Sequence, residues 1–193
     1  MKKDIIIVGV GGQGILLASR VLGRLAMDAG LDIKVSEVHG MSQRGGDVIT
    51  HVRVGEKVLS PLVTEGEADA IVSFELMEAA RALPFLKGQG GRFVVNSQKI
   101  EPVTVKIGAA EYPEGIDALL RSRGRVLEFD ARAVAAECDA PKSVNIALLG
   151  AFAAGESFTQ EAWLAAVEAC VPPKTIEANR RAFLAGWQLG EKA

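Results

Sequence analysis

A glycine-rich run near the N-terminus, Gly9-Val10-Gly11-Gly12-Gln13-Gly14, constrains the fold more than any other feature. A β-branched run at residues 4–8 precedes it and predicts a buried parallel strand. Apolar residues recur at helical spacing over residues 13–29, and Gly30 is placed to end that helix. A strand that turns through glycines into a helix is typical of the first unit of a parallel α/β sheet.

The chemistry of this turn follows from its missing side chains. Glycine permits a tight turn and the close approach of a ligand, and the N-terminus of the following helix offers unpaired N–H groups to an anion. We therefore predict contacts with a phosphate, another anionic group or a partner's backbone at Gly9, Gly11, Gly12, Gln13 and Gly14. The alternative is that these glycines only allow the strand and the helix to pack closely.

The rest of the chain alternates short strands with helices. Further strands are predicted at residues 33–38, 47–54, 57–59, 69–74, 91–95, 103–107 and 125–129. Gly55-Glu56 separates two of these runs and predicts that residues 47–54 and 57–59 form an inserted hairpin. Helices are predicted at residues 75–86 and 115–122.

The last third of the chain is predicted to be helical, with Ser143 and Thr159 as N-caps. Phe158 and Trp163 are spaced to pack across the second cap. For 193 residues we expect one domain, 1–193. Its expected architecture is a Rossmann-like three-layer α/β sandwich, with a mostly parallel sheet that the inserted hairpin makes mixed.

Composition excludes several classes of function. Lys and Arg number 22 against 24 Asp and Glu, and no basic run argues for nucleic acid or an anionic membrane. No apolar stretch approaches the roughly 20 residues that span a bilayer, and no signal peptide is recognisable, so we expect a cytoplasmic protein. Cys138 and Cys170 lie outside any CxxC pair and have no His at a metal-ligand spacing, so we expect free thiols and no metal site.

A second loop, residues 39–46, follows the predicted second strand. The carboxyl ends of parallel strands meet at one edge of a sheet, so this loop should lie beside the glycine-rich turn. Arg44 can grip a phosphate or carboxylate through two donors, and the neighbouring glycines add backbone N–H groups. The alternative is a polar surface loop in which Arg44 forms a structural ion pair. His39 is not assigned as a general base, because no nucleophile can be placed near it.

One further residue supports a competing function. Glu37 lies 23 residues after Gly14, near the end of the predicted second strand. An acidic residue about there holds the ribose in dinucleotide-binding folds. A stand-alone nucleotide-binding oxidoreductase of Rossmann type therefore remains an alternative.

The two loops together resemble the gamma subunit or domain of the pyruvate/2-ketoisovalerate:ferredoxin oxidoreductases, and in particular the beta subunit of the indolepyruvate type. The likeness covers residues 4–187. Beyond the two loops it rests on Ala68-Asp69-Ala70, Glu78, Val94-Val95-Asn96, Pro172-Pro173-Lys174, Asn179, Phe183 and Gly186.

The resemblance implies a specific reaction. Such enzymes oxidatively decarboxylate a 2-oxoacid, here indolepyruvate or a related aryl pyruvate, join the acyl group to coenzyme A and pass two electrons to ferredoxin. Thiamine diphosphate, Mg and the iron–sulfur clusters lie on other chains or domains. The sequence has no Gly-Asp-Gly with a later Asn-Asn to hold thiamine's magnesium, and only two cysteines, where a cluster usually takes four.

The resemblance therefore implies a subunit that binds no cofactor tightly, is inactive alone and works in a heteromer with a large thiamine and iron–sulfur subunit, meeting ferredoxin only indirectly. No catalytic residue is assigned. Coenzyme A can contact the glycine-rich turn, or the same atoms can recognise the partner, in which case the chain is a non-catalytic assembly module. The implied cofactor-binding residues are Gly9, Gly11, Gly12, Gln13, Gly14, Ser42, Gln43, Arg44, Gly45 and Gly46, and the implied partner-facing residues are His39, Met41 and Asn96.

Overall fold

The computed structural model describes residues 2–40 and 46–193 and contains one six-stranded mixed sheet. The strand order across the sheet is β2-β3-β1-β4-β5-β6. Strand β3 runs antiparallel to both of its neighbours, whereas β1, β4, β5 and β6 are parallel. The strands are β1 (Lys3–Val10), β2 (Asp32–His39), β3 (Asp47–Gly55), β4 (Ala70–Ser73), β5 (Arg92–Asn96) and β6 (Arg125–Phe129).

Helices cover both faces of this sheet, which confirms the predicted sandwich. Helices α1, α6, α7 and α8 share one apolar core with the sheet, and α2 and α4 share a second core on the opposite face. None of the helices in the described ranges is both long and apolar enough to cross a bilayer. The helices are α1 (Ile15–Asp28), α2 (Leu76–Ala82), α3 (Val103–Lys106), α4 (Ile116–Arg121), α5 (Ala131–Glu137), α6 (Val144–Ala153), α7 (Gln160–Cys170) and α8 (Ile176–Glu191).

The hairpin predicted from residues 47–54 and 57–59 does not form, because β3 pairs with other strands. Residues 57–59 form no strand, and β3 instead pairs with β2 on one side and β1 on the other. The reason is burial on both faces: Val52 packs towards α1, while His51 points the other way and is also buried. A strand covered on both faces is stable inside the sheet, between two hydrogen-bonded neighbours. The hairpin in this region is instead formed by β2 and β3, which the second loop connects.

The strand predicted at residues 103–107 is also wrong, because this segment contains helix α3. Its alternating β-branched residues match a strand, but β5 pairs directly with β6 and leaves no place between them. Pro102 is the N-cap of α3, and proline suits a helix start because it lacks an N–H group. Val103 and Ile107 are each 71% exposed.

The helical last third is confirmed, and it packs very closely. The Thr159 hydroxyl accepts a hydrogen bond from the Ala162 N–H at 3.3 Å, and the Phe158 and Trp163 rings lie 6.3 Å apart, as predicted. Ser143 occupies the N-cap of α6, but its side chain makes no capping bond. Every residue of α6 from Asn145 to Ala153 is buried, so this helix forms the centre of its layer.

Candidate functional site

The glycine-rich turn joins β1 to α1 with two residues in the left-handed region. Gly12 has φ 99° and Gly14 has φ 83°, conformations that only glycine adopts without strain. The Gln13 N–H donates to the Val10 carbonyl at 3.2 Å and closes the turn. The backbone therefore requires glycine at positions 12 and 14 before any ligand is considered.

Packing explains two of the four glycines. A Cβ on Gly9 would lie 2.7 Å from Gln13 Oε1 and 2.8 Å from the Cβ of Phe74. A Cβ on Gly14 would lie 2.5 Å from Asn145 Nδ2. By contrast, no atom of the described residues lies within 4 Å of the corresponding position on Gly12. The open part of the turn is thus around Gly12, whereas Gly9 and Gly14 are covered by the protein's own side chains.

The start of α1 offers backbone donors to this open side. No described residue accepts a hydrogen bond from the N–H groups of Gly12, Ile15 or Leu16. The helix has no side-chain N-cap and no acidic residue in its first turn. Unpaired N–H groups and the positive end of the helix dipole both favour an anion at this place.

The second loop begins and ends beside this turn. The Gly11 N–H donates to the Gly46 carbonyl at 3.0 Å, and the Gly40 N–H donates to the Asp47 carbonyl, also at 3.0 Å. The ends of the two loops therefore meet at the carboxyl edge of the sheet, as expected from the sequence. Met41, Ser42, Gln43, Arg44 and Gly45 lie outside the described residues, and their assignments remain predictions.

A cleft of about 280 Å³ separates the turn from the end of β2. Its far wall carries Glu37 and His39, and the exposed His39 imidazole contacts the Glu37 carboxylate through Nε2. The Thr50 hydroxyl lies 3.2 Å from the other Glu37 oxygen and donates to it. Because β3 separates β2 from β1, Glu37 lies two strand spacings, roughly 10 Å, from the turn's strand. This is one strand further than the ribose-binding position of a dinucleotide fold.

Asn96 requires a correction, because it does not lie on the surface. Its side chain is 0% exposed. Its amide Nδ2 donates to the Phe74 carbonyl at 3.1 Å, and its Oδ1 accepts from the Ala131 N–H at 3.1 Å. The amide therefore joins the ends of β4 and β5 to the start of α5, and it cannot face a partner.

Asn145 is a site residue that the sequence reasoning missed. Its Nδ2 donates to the Gly14 carbonyl at 3.2 Å, across 131 residues of chain. It is a single polar residue near the start of the otherwise apolar helix α6, and this isolated polarity was the available signal.

Two buried carboxylates lie at the same edge of the sheet, after β4. Glu75 caps α2 by accepting from the Glu78 N–H at 3.0 Å, and it also accepts from the Tyr112 hydroxyl at 2.6 Å. Burial raises the pKa of Glu78 to about 7, and the charges of Glu75 and Asp47 add to this although Arg81 opposes it. One carboxyl at this edge therefore changes charge near neutral pH.

Sequence comparison identifies relatives over almost the full chain. The family described as pyruvate ferredoxin/flavodoxin oxidoreductase matches residues 4–189. The indolepyruvate oxidoreductase subunit IorB of Thermococcus kodakarensis is 43% identical over 98% of this chain and 95% of its own length. The subunit of the same name from Methanothermobacter thermautotrophicus is 35% identical, over 97% of each chain.

Solved structures share the fold. The gamma subunit of a keto/oxoacid ferredoxin oxidoreductase from Geobacter sulfurreducens superimposes with a TM-score of 0.74 at 24% identity, over 99% of both chains. A 2-oxoglutarate:ferredoxin oxidoreductase from Magnetococcus marinus gives a TM-score of 0.75 at 19% identity, over 100% of this chain and 31% of that one. In that larger chain the same fold is one part of a longer polypeptide. From the match over residues 4–189 and these relatives, the chain belongs to the pyruvate ferredoxin/flavodoxin oxidoreductase family.

Proposed function

We propose that this chain is the small subunit of a 2-oxoacid:ferredoxin oxidoreductase that acts on indolepyruvate or a related aryl pyruvate. Relatives that are 35% and 43% identical over nearly the whole chain carry the name indolepyruvate oxidoreductase subunit, which supports this substrate class. The reaction is oxidative decarboxylation of the 2-oxoacid to an acyl-coenzyme A, with two electrons passed to ferredoxin.

The thiamine diphosphate, its magnesium and the iron–sulfur clusters belong, in this proposal, to a large partner subunit. Cys138 and Cys170 are both free thiols, too few for a cluster that usually takes four. Free thiols also fit a cytoplasmic location, where cysteines are kept reduced. Ferredoxin would then meet the partner subunit, and this chain would complete the enzyme without holding a redox group.

The role of this chain is to hold the phosphates of coenzyme A beside the partner's active site. The observation that carries this assignment is the group of backbone donors at Gly12, Ile15 and Leu16, to which no described residue supplies an acceptor. Gly11 lies next to them, and Gly46 brings the end of the second loop to the same place. The proposed set adds Ser42, Gln43, Arg44 and Gly45 from the sequence, with His39 and Met41 facing the partner.

The charges in the cleft decide where the phosphates would lie. Glu37 carries a negative charge on the far wall and repels a phosphate, although its contact with His39 reduces that effect. The start of α1 attracts a phosphate through its dipole. We therefore place the phosphates on the α1 side of the cleft and away from β2.

A substitution at Leu16 tests this placement. Leu16 is in the first turn of α1 and is 53% exposed. In a complex reconstituted with the large subunit, Leu16→Glu should raise the KM for coenzyme A on the order of tenfold, because a carboxylate would occupy the anion site. The same carboxylate should leave the melting temperature of the isolated chain unchanged or slightly higher, because it complements the helix dipole.

The matched control is Leu16→Gln, because glutamine has nearly the same shape as glutamate but carries no charge. It should leave the KM for coenzyme A close to the wild-type value. An unchanged KM in Leu16→Glu, measured in a fully assembled complex, would remove coenzyme A from this turn.

Docking is the second candidate role, favoured by the exposed apolar side chains of Leu16 and Val38 near the same edge. Arg44→Ala separates the two roles. Normal assembly with a weaker apparent affinity for coenzyme A, by roughly 1–3 kcal/mol, supports ligand contact. Loss of the complex in gel filtration supports docking instead.

A further inference from the structure

We infer that Gln13 is a positioning residue, which fixes the shape of the glycine-rich turn without touching the ligand. This inference rests on the proposed function, since it concerns how the same turn presents its donors to coenzyme A. It changes the assignment of Gln13, which the sequence placed among the contact residues.

The Gln13 side chain folds back beneath its own turn. Its Oε1 accepts from the Val10 N–H at 2.7 Å, and its Nε2 donates to the Phe74 carbonyl at 2.9 Å. The first bond closes the turn across the end of β1, and the second ties it to the residue that follows β4. Both functional groups of the amide are thus used inside the protein.

Gly9 makes this conformation of the side chain possible. Any Cβ at position 9 would lie 2.7 Å from Gln13 Oε1, which is closer than real Cβ contacts. The glycine therefore leaves the space that the Gln13 amide occupies. Glycine and glutamine act here as a pair, four residues apart in the sequence.

The Phe74 carbonyl is the fixed point of the arrangement. It accepts from Gln13 Nε2 and also from Asn96 Nδ2, whose own oxygen accepts from the Ala131 N–H. Phe74 itself is tied to β1, because its N–H donates to the Val8 carbonyl at 2.8 Å. The turn is consequently attached to β4, β5 and α5 through one buried carbonyl group.

The other end of the turn is held in a similar way. Asn145 donates to the Gly14 carbonyl from the start of α6. Between these two anchors, none of the residues that the structure describes comes within 4 Å of the Cβ position of Gly12. The anchored ends thus hold the outward N–H groups in place, and small displacements of such groups weaken recognition strongly.

Gln13→Glu provides a test with a distinctive pH dependence. A protonated glutamic acid can still donate to the Phe74 carbonyl and accept from the Val10 N–H, so it reproduces both hydrogen bonds. The ionised form loses the donor and places a negative charge against a carbonyl oxygen. In the assembled complex, the KM of this variant for coenzyme A should be on the order of tenfold above the wild-type KM at pH 8, where the carboxylate is ionised, and the ratio should fall as the pH is lowered towards the pKa of that carboxyl.

Gln13→Met separates geometry from charge, because methionine has a similar length but neither hydrogen-bonding group. It should raise the KM for coenzyme A on the order of tenfold at every pH, with the KM for the 2-oxoacid unchanged. Gln188→Met is the matched control, since Gln188 is exposed on α8, and it should behave as the wild type.

The outcomes are distinguishable from failure of the proposed function. If Leu16→Glu raises the KM for coenzyme A and Gln13→Met only lowers the melting temperature, Gln13 is merely structural and the inference is wrong. If neither variant changes that KM, the site does not bind coenzyme A and both proposals fail. A ratio close to one for Gln13→Glu at pH 8 would also overturn the positioning role.

Discussion

The carboxyl edge of the sheet and the α6–α8 helix pair both depend on glycine, but they use it in opposite ways. At the edge, Gly12 turns the chain and leaves open space next to its backbone. Between the helices, a Cβ on Gly186 would overlap the Ala147 carbonyl, and one on Gly150 would overlap the Phe183 carbonyl. The same residue type leaves an accessible backbone surface in one region and closes an interface in the other.

The two regions also differ in what holds them together. The helical layer is apolar, with Phe152, Trp163 and Phe183 fully buried in one core. The edge is held by side-chain amides and carboxylates such as Gln13, Asn96 and Glu75. We therefore expect the helical layer to govern overall stability, and the edge to govern ligand binding and pH dependence.

The largest expected effect is a loss of stability when the interface between α6 and α8 is disrupted. Gly186→Ala places a methyl group where the α6 backbone lies, and neither backbone can move away without displacing the core. The free energy of unfolding in urea should fall by roughly 3 kcal/mol or more. A loss below about 1 kcal/mol would show that the two helices are not rigidly packed, and the comparison would fail.

A smaller effect should appear at the edge as a dependence on pH. The pKa of Glu78 is raised to about 7 in the folded protein from an ordinary value of 4.5, so the folded state retains this proton while the unfolded state loses it. The retained proton on Glu78 therefore adds to the free energy of unfolding. This contribution is complete below about pH 4.5 and is lost as the pH rises to about 7.

Glu78→Gln removes this dependence. The stability of the variant relative to the wild type should increase between pH 5 and pH 7.5, on the order of 1 kcal/mol after allowing for the exposed partner Arg81. Urea unfolding of both proteins in the same buffers, at a series of pH values, measures this difference in the free energy of unfolding. A constant difference across that range would contradict the raised pKa.

The smallest expected effect is a gain in stability rather than a loss. Gly23 lies within α1, and within residues 2–40 and 46–193 nothing lies within 4 Å of its Cβ position. Gly23→Ala should stabilise the protein by about 0.5–1 kcal/mol, because alanine favours a helix and meets no obstacle. A higher melting temperature would detect this gain in stability. Compared with Gly186→Ala, the result would show that the surroundings of a helical glycine decide whether alanine stabilises or destabilises the protein.

Local patterns in the sequence were sufficient for the strand–turn–helix unit and for the Thr159 cap, because both depend on residues close together in the chain. The position of β3 was not predictable in this way, because its pairing with β1 joins residues that are distant in the chain, from Lys3 with Val54 to Val10 with Asp47. The segment at 103–107 has a strand-like alternation, but β5 pairs directly with β6 and the segment forms helix α3 instead. Local propensity was overridden by the tertiary structure in this case.

The site shows the same limit at the level of single side chains. The sequence placed Gln13 and Asn96 at the site but could not show that their amides point inward. An amide can bind a ligand or satisfy a buried carbonyl equally well, and only the surrounding backbone decides which. Asn145 was missed because its contact with Gly14 spans most of the chain.

The complete burial of α6 has a consequence for how the protein is made. Ribosomes synthesise α8 after α6, so the apolar surface of α6 emerges before the helix that covers Gly150. The nascent chain therefore carries α6 without its α8 neighbour until α8 has also left the ribosome. Assembly with any partner that requires the finished sheet edge would follow that step, and shielding of the emerging chain would matter most during this interval.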